Sequence, residues 1–188
     1  GYAVSVYEAL EELGGMMRYG IPNYRIPRDK LAGEVQRILD MGEVTVHTKT
    51  KVGEDVTVKE IEDSHDALIW AVGCWTGRGL PVPGWENTPN CVTGVTFLKA
   101  FNEGRMKVTA DKVICVGGGD TSIDVVSVAR RLGHIKHDNP SERPEQILQD
   151  GFLAHDSAMT AAGQGAEVTL TSLFPKVNMT AAEHEVND

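Results

Sequence analysis

The chain has 188 residues, of which 41% are hydrophobic and 24% charged, a composition typical of a folded protein with one ordinary domain or two small ones. Its net charge of −9 and its lack of a Lys and Arg cluster argue against a nucleic-acid binder, because such a chain repels a phosphate backbone. No apolar run approaches the ~20 residues of a membrane span, and the N-terminal residues lack a signal-peptide pattern, so we expect a cytoplasmic protein.

The first predicted element is a strand that ends in an acidic residue. In "GYAVSVYEALEELGG", Val4 and Val6 alternate with Ser5, and Glu8 follows. In a dinucleotide-binding βαβ unit, an acid at the end of the second strand binds a ribose about 20 residues after a glycine-rich loop. Glu8 is either that acid, in which case we expect the loop to lie before residue 1, or a surface residue that ends an ordinary strand.

A loop rich in glycine, proline and arginine comes next, followed by a helix. The stretch "LGGMMRYGIPNYRIPRD" contains Arg18, Arg25 and Arg28, and is either an ordered loop close to an anionic ligand or a plain connector. The following stretch predicts an amphipathic helix that ends at Gly42. Its apolar residues on helical spacing are Leu31, Val35, Ile38 and Leu39.

The middle of the chain predicts short strands and a domain crossing. "VTVHTKTKV" indicates strands, and "DVTVKEIEDS" a turn or short helix. "HDALIWAVGCW" has the pattern of a strand buried on both faces of a parallel sheet. The proline-rich and glycine-rich "TGRGLPVPGWENTPN" indicates a crossing between domains. Residues 95–105 predict a short helix with Phe97, Leu98 and Phe101 facing inward.

The strongest local signal is "DKVICVGGGDTSIDVVSVARRLG". A short buried strand precedes Gly117, Gly119 and Ser122, which occupy the small-residue positions of G-x-G-x-x-[G/A], and a helix follows. This context predicts a phosphate-binding turn, since the glycines allow close approach and the helix N-terminus presents free N–H groups. The alternative is a tight strand-to-helix turn without a ligand. The helix is expected to end at Gly133. Its predicted inward stripe is Ile123, Val126 and Ala129.

A surface insertion, residues 134–166, is predicted before the next strand, Val168 to Leu173. His134, His137 and His155 within it are interpreted as solvated side chains, because none has metal-ligand spacing with a third ligand. The strand ends without the acid typical of NAD or the Arg pair typical of NADP binding, which leaves the choice of nucleotide open. Thr171, Ser172 and Lys176 are the polar residues that remain.

Cysteine and aspartate pairs suggest no further chemistry. Cys74, Cys91 and Cys115 are too widely spaced for a CxxC redox pair or a four-cysteine metal site, and we expect small buried side chains. Asp120 and Asp124 resemble a carboxylate pair for acid–base work, but acids at a helix N-terminus are favoured by the helix dipole, and the structural interpretation is preferred.

Three stretches together resemble one protein family. "ELGGMMRYGIPNYRIPRD", "DALIWAVG" and "VICVGGGDTSIDVVSVARRLGH" are similar to the small subunit of glutamate synthase and its relatives, flavoproteins that pass electrons from NAD(P)H to FAD. The resemblance implies an α/β fold with two partial Rossmann-like domains of the pyridine nucleotide-disulfide oxidoreductase-like type. Residues 1–104 would form a partial FAD-binding domain without its GxGxxG loop, and residues 105–188 a partial NAD(P)-binding domain with the insertion at 134–166.

The resemblance also implies cofactor-binding residues. The FAD site would include Glu8, Gly14, Gly15, Arg18, Ile21, Pro22, Val52, Ala71 and Gly73. The NAD(P) loop would be formed by Gly117, Gly118, Gly119, Asp120 and Thr121, with Ser172 and Lys176 as further candidates. No residue is assigned a catalytic or metal-binding role.

The implied function is part of an oxidoreductase that transfers hydride from NAD(P)H to FAD and passes electrons to an iron–sulfur cluster, located in a missing segment or in a partner. The partner would be a larger catalytic subunit or an electron-acceptor protein. Ser172–Leu173–Phe174 stands where glutamate synthase small subunits usually have Tyr-Arg-Arg. This departure and the insertion favour a relative such as the flavoprotein associated with dissimilatory sulfite reductase.

Two other classes of function are weighed against this one. A disulfide reductase would need a CxxC pair, and the cysteine spacing argues against it. A non-catalytic nucleotide-binding or assembly module stays open.

Overall fold

A computed structural model of the chain describes residues 1–88, 91–104, 112–132 and 167–184. The strands are β1 (Val4–Tyr7), β2 (Val44–His47), β3 (Lys112–Val116) and β4 (Glu167–Thr171). The helices are α1 (Gly15–Tyr19), α2 (Arg28–Leu39), α3 (Val58–Ser64), α4 (Gly94–Asn102) and α5 (Asp120–Leu132), with short 3-10 helices at Trp85–Asn87 and Lys176–Asn178. The insertion predicted at 134–166, with its histidines and Gly133, lies outside the described residues.

The strands form two parallel pairs. β1 pairs with β2 from Val4 opposite Val44 to Tyr7 opposite His47. β3 pairs with β4 from Lys112 opposite Glu167 onward. Parallel pairs joined through helices are the hallmark of α/β architecture, and the predicted class is confirmed.

The described residues divide into two compact units. The first unit comprises Gly1–Arg18 and Pro27–Cys74, and the second comprises Tyr19–Ile26 together with the described residues from Trp75 onward. The boundary proposed between residues 104 and 105 separates an FAD-binding domain from an NAD(P)-binding domain. It depends on where each cofactor binds, so it stays a prediction.

The core of the second unit lies between α4, α5 and the β3–β4 sheet. Its buried members are Leu98, Phe101, Cys115, Val125 and Val128. The inward face predicted for α4 is therefore confirmed at Leu98 and Phe101, whereas Phe97 packs at the margin of this cluster. Along α5 the predicted stripe is confirmed at Ala129, and Val126 packs at the margin of the cluster, whereas Val125 and Val128 occupy its centre and Ile123 is only partly buried. Helical spacing predicts that apolar residues share one face of the helix. It does not predict which of them lies at the centre of that face.

Two helices belong to the first unit. α2 buries Leu31 and partly buries Val35 and Leu39, so the predicted apolar face is confirmed except at Ile38, which is exposed. α3 begins with a capping box, in which the side chains of Thr57 and Glu60 each accept a backbone N–H of the other residue, and it buries Ile61. None of the helices in the described ranges is long and apolar enough to cross a bilayer.

The buried strand predicted from "HDALIWAVGCW" is wrong. Residues 67–75 form no regular structure, and Ile69, Trp70 and Val72 are exposed, with Ile69 at 86%. A strand exists only where a neighbour takes up its backbone N–H and C=O groups. Neither described sheet pairs with this stretch, so its apolar side chains are left at the surface.

We expect Phe101→Ala to lower the free energy of unfolding by about 3–5 kcal/mol, because Phe101 is fully buried and the substitution leaves a cavity. Phe174→Ala is the matched control, since Phe174 is 58% exposed, and it should cost less than about 0.5 kcal/mol. Urea denaturation followed by circular dichroism measures both. Equal costs for the two variants would contradict the proposed core.

Candidate functional site

Glu8 lies at the carboxyl end of the β1–β2 pair. Its N–H donates to the carbonyl oxygen of His47 (2.9 Å), and its own carbonyl accepts from the N–H of Thr50 (2.9 Å). One carboxylate oxygen accepts from the N–H of Leu10 (2.8 Å). Among the described residues no hydrogen bond is made to the other carboxylate oxygen, Oε2. These bonds bring Glu8 together with the segment that leads to Val52.

The Gly14–Gly15 turn needs both of its glycines. Gly14 has φ +122° and Gly15 has φ +51°, conformations that favour glycine. A Cβ on Gly14 would lie 3.1 Å from Cδ2 of Leu31, so the turn also packs closely on α2. Arg18 holds the turn from within, since its Nε donates to the carbonyl oxygen of Leu13 (2.9 Å) and its Nη1 pairs with Glu12. Arg18 is thus engaged inside the turn, and its predicted contact with FAD stays a prediction.

Ala71 and Gly73 lie on the exposed irregular stretch rather than at the end of a strand. Their predicted role required a strand that delivers them to the edge of a sheet. In the described residues that strand is absent, so the structure does not bring Ala71 or Gly73 to the end of the β1–β2 pair.

Ile21 and Pro22 lie in the Tyr19–Ile26 segment, which packs inside the second unit. Pro22 is among the fully buried side chains of the described residues. Asn102, at the end of α4, donates from Nδ2 to the carbonyl oxygens of Tyr19 (3.0 Å) and Ile21 (3.1 Å). Sequence reasoning missed Asn102, and the available signal was a polar residue next to the inward-facing Phe101.

An ion pair between an exposed arginine and a buried carboxylate also holds this segment. Nη1 of Arg25 lies 2.7 Å from Oδ1 of Asp124. Asp124 is only 5% exposed. The sequence interpretation of Asp124 as structural is consistent with this contact, but the partner, 99 residues away in the chain, was not foreseen. A buried carboxylate held by a guanidinium is stable only while the pair stays together.

The glycine turn lies at the carboxyl end of the β3–β4 pair. The N–H of Gly117, at φ +148°, donates to the carbonyl oxygen of Thr171 (2.8 Å), and α5 starts three residues later. A Cβ on Gly118 would lie 2.5 Å from Oγ of Ser172. The structure therefore brings the turn residues, Asp120 and Thr121 together with Ser172. Lys176 is exposed at the start of the following 3-10 helix.

The expected burial of the cysteines is wrong for two of the three. Cys74 and Cys91 are exposed, and Cys115 is buried beneath the glycine turn, where its Sγ lies 3.7 Å from the carbonyl oxygen of Ser122. Cys74 lies on the exposed irregular stretch, residues 67–75. Burial raises the pKa of the Cys115 thiol, so it stays protonated and unreactive. Within the described ranges, no three His, Cys, Asp or Glu residues are grouped so as to hold a metal ion.

Comparison with known proteins places these features in one family. The family model described as pyridine nucleotide-disulphide oxidoreductase matches residues 5–188. The NADP(+)-dependent formate dehydrogenase subunit beta of Moorella thermoacetica is 40% identical over 135 residues, 71% of this chain and 19% of the relative. The glutamate synthase [NADPH] small chain of Azospirillum brasilense is 30% identical over 144 residues, 71% of this chain and 30% of the relative. The chain thus spans less than a third of these curated relatives.

A solved structure shares the fold. FprA of Mycobacterium tuberculosis, in complex with NADPH, superposes with a TM-score of 0.72 at 21% identity, over 97% of this chain and 39% of that chain. The predicted fold and the resemblance to the glutamate synthase small-subunit family are confirmed by these matches.

We expect Cys74 and Cys91 to react with iodoacetamide near neutral pH, while Cys115 stays unmodified in the folded protein. Because the pKa of Cys115 is raised, its thiolate fraction is reduced at any given pH and its reaction should appear only in more alkaline solution. Mass spectrometry of the alkylated protein locates each label. Urea-unfolded protein is the control in which all three cysteines react, and fast labelling of folded Cys115 would contradict the described burial.

We expect Arg25→Ala to lower the free energy of unfolding by about 2–3 kcal/mol, because it removes the guanidinium that faces the buried Asp124 carboxylate. The matched control is Arg37→Ala, whose partner Glu34 is exposed, and its cost should be under about 0.5 kcal/mol. Chemical denaturation of both variants gives the comparison. A cost for Arg25→Ala as small as that for Arg37→Ala would show that the pair does not hold the segment.

Proposed function

The chain belongs to the pyridine nucleotide-disulphide oxidoreductase family, and on that premise we propose that it is part of an enzyme that transfers hydride from NAD(P)H to FAD. The electrons then pass to an iron–sulfur cluster or to a partner protein. The observation that carries the proposal is the glycine turn at Gly117–Gly119, held at the carboxyl end of a parallel strand pair and followed directly by α5.

The second unit is suited to a dinucleotide. Ligands of open α/β sheets bind outside the carboxyl ends of the strands, and the N-terminus of a helix favours the negative charge of a pyrophosphate. Gly117, Gly118 and Gly119 are half-buried there and present backbone without side chains. Two polar residues, Asp120 and Thr121, follow this turn in the sequence. Ser172 lies against Gly118 in the structure, and Lys176 follows four residues after it. We propose that the three glycines, Thr121, Ser172 and Lys176 hold NAD(P)H, with Asp120 next to the turn.

The first unit is suited to an adenosine ribose. Glu8 is fixed by backbone bonds and keeps Oε2 available for a hydroxyl group. We propose that Glu8 binds the ribose of FAD, with Gly14, Gly15, Arg18 and Val52 lining the site. For Ile21 and Pro22, which belong to the second unit, and for Ala71 and Gly73 on the exposed stretch, the FAD role stays a prediction from the resemblance.

No side chain is assigned an acid or base role, because hydride passes directly between the two cofactors and the protein binds and orients them. The relatives named above are subunits or chains of larger enzymes, which supports a larger catalytic subunit or an electron-acceptor protein as partner. We propose that this protein works in the cytoplasm. The proposal covers both NADH and NADPH. After β4 the sequence has neither the acid typical of NAD binding nor the Arg pair typical of NADP binding.

We expect the purified protein to bind NADH or NADPH in isothermal titration calorimetry, and Gly118→Ala to weaken that binding about tenfold. The added Cβ would lie 2.5 Å from Oγ of Ser172 and would have to displace that side chain from the turn. Where FAD is bound, the preferred nucleotide should bleach the flavin absorption band under anaerobic conditions.

Gly33→Ala is the matched control, because a Cβ at this position on α2 meets nothing within 4 Å. It should leave nucleotide binding unchanged and stabilise α2 by about 0.5–1 kcal/mol. Absence of binding for both nucleotides would overturn the proposal. Nucleotide binding without any flavin reduction would favour the non-catalytic module instead.

A further inference from the structure

Four residues that follow the second strand pair lie against the glycine turn. Met179–Ala182, here called the strap, contacts the turn through two backbone amides. The N–H of Ala181 donates to the carbonyl oxygen of Gly118 (3.1 Å), and the N–H of Ala182 donates to Oδ1 of Asp120 (3.1 Å). Because these partners are 62 or 63 residues apart in the chain, the contact is tertiary and was not visible in the sequence.

The strap packs closely on the turn. Oγ1 of Thr180 donates to the carbonyl oxygen of Gly118 (3.4 Å) and would lie 3.3 Å from a Cβ on Gly119. Cγ of Met179 would lie 3.4 Å from a Cβ on Gly118, and Ala181 is buried. These are van der Waals distances, so a displacement of the strap changes the space beside the turn backbone.

Among the described residues, Asp120 is the only side chain that accepts a hydrogen bond from a backbone N–H of the strap. One of its carboxylate oxygens is committed to Ala182. A carboxylate that faced the phosphates of a dinucleotide directly would repel them, whereas an acceptor for a backbone N–H needs no charge. The chemistry therefore favours a role through the strap over a direct contact with the nucleotide.

We propose that Asp120 is a positioning residue that ties the strap to the glycine turn, so that the strap forms one wall of the nicotinamide-nucleotide site. This inference rests on the proposed function. It replaces the direct cofactor contact that the family resemblance implied for Asp120 with an indirect one, made through Ala182.

Two substitutions separate these roles. Asp120→Asn keeps an oxygen that can accept from Ala182 and removes the charge, whereas Asp120→Ala removes the acceptor. Asp29, also in the first turn of a helix, supplies the matched controls Asp29→Asn and Asp29→Ala. Hydrogen exchange of the Ala182 amide, measured by NMR without nucleotide, reports the strap. Calorimetric titration with NADH and NADPH reports the site.

We expect Asp120→Asn to retain the protection of the Ala182 amide and to bind the nucleotide as tightly as the wild type or more tightly. Asp120→Ala should lose the protection and bind about fivefold more weakly. The Asp29 variants should change neither measurement.

Two results overturn the assignment. Unchanged protection of Ala182 in Asp120→Ala would show that Asp120 does not hold the strap. Equal weakening in Asp120→Asn and Asp120→Ala, with Ala182 protected in the former, would show that the carboxylate acts directly on the nucleotide. Failure of the proposed function is distinguishable from both, because the wild type would then bind neither nucleotide while the exchange of Ala182 still responded to Asp120→Ala.

Discussion

One backbone hydrogen bond recurs at the end of each parallel strand pair, and both candidate sites depend on it. In the first unit the N–H of Glu8 donates to the carbonyl oxygen of His47, and in the second the N–H of Gly117 donates to that of Thr171. Each bond extends the ladder by one residue beyond the strand and so fixes the direction in which the chain leaves the sheet. Glu8 and the glycine turn are positioned by the same device, although one residue offers a carboxylate and the other bare backbone.

The second unit is specified by buried polar contacts as much as by its apolar core. Asn102 holds two carbonyl oxygens of the Tyr19–Ile26 segment, and Asp124 holds Arg25. Apolar packing alone would accept this segment in several positions, since burial is not directional. Hydrogen bonds and ion pairs in a buried setting are directional and costly to leave unmade, so they select one position.

Features set by neighbouring residues were predictable from the sequence. The glycine turn was found because strand, glycines and helix follow one another without interruption, and α4 because Leu98 and Phe101 share one helical face. The stretch around Ile69 was mispredicted as a strand. An apolar run indicates that a stretch can pair in a sheet, but it does not show whether a neighbouring strand is there to pair with it. The partners of Asn102, Asp124 and Asp120 lie 62 to 99 residues away, a distance at which no local pattern identifies a contact.

The Tyr19–Ile26 segment has a consequence for the way the chain can be divided. The polypeptide passes from the first unit to the second after Arg18, returns after Ile26, and passes over again after Cys74. No single cut in the backbone therefore yields two pieces that each contain one whole unit. A protease that cleaved only at the exposed stretch before Trp75 would leave the segment joined to the N-terminal piece, and its partners Asn102 and Asp124 on the other. Neither unit therefore corresponds to one continuous stretch of the sequence, and the segment and its partners stay together only in an uncut chain.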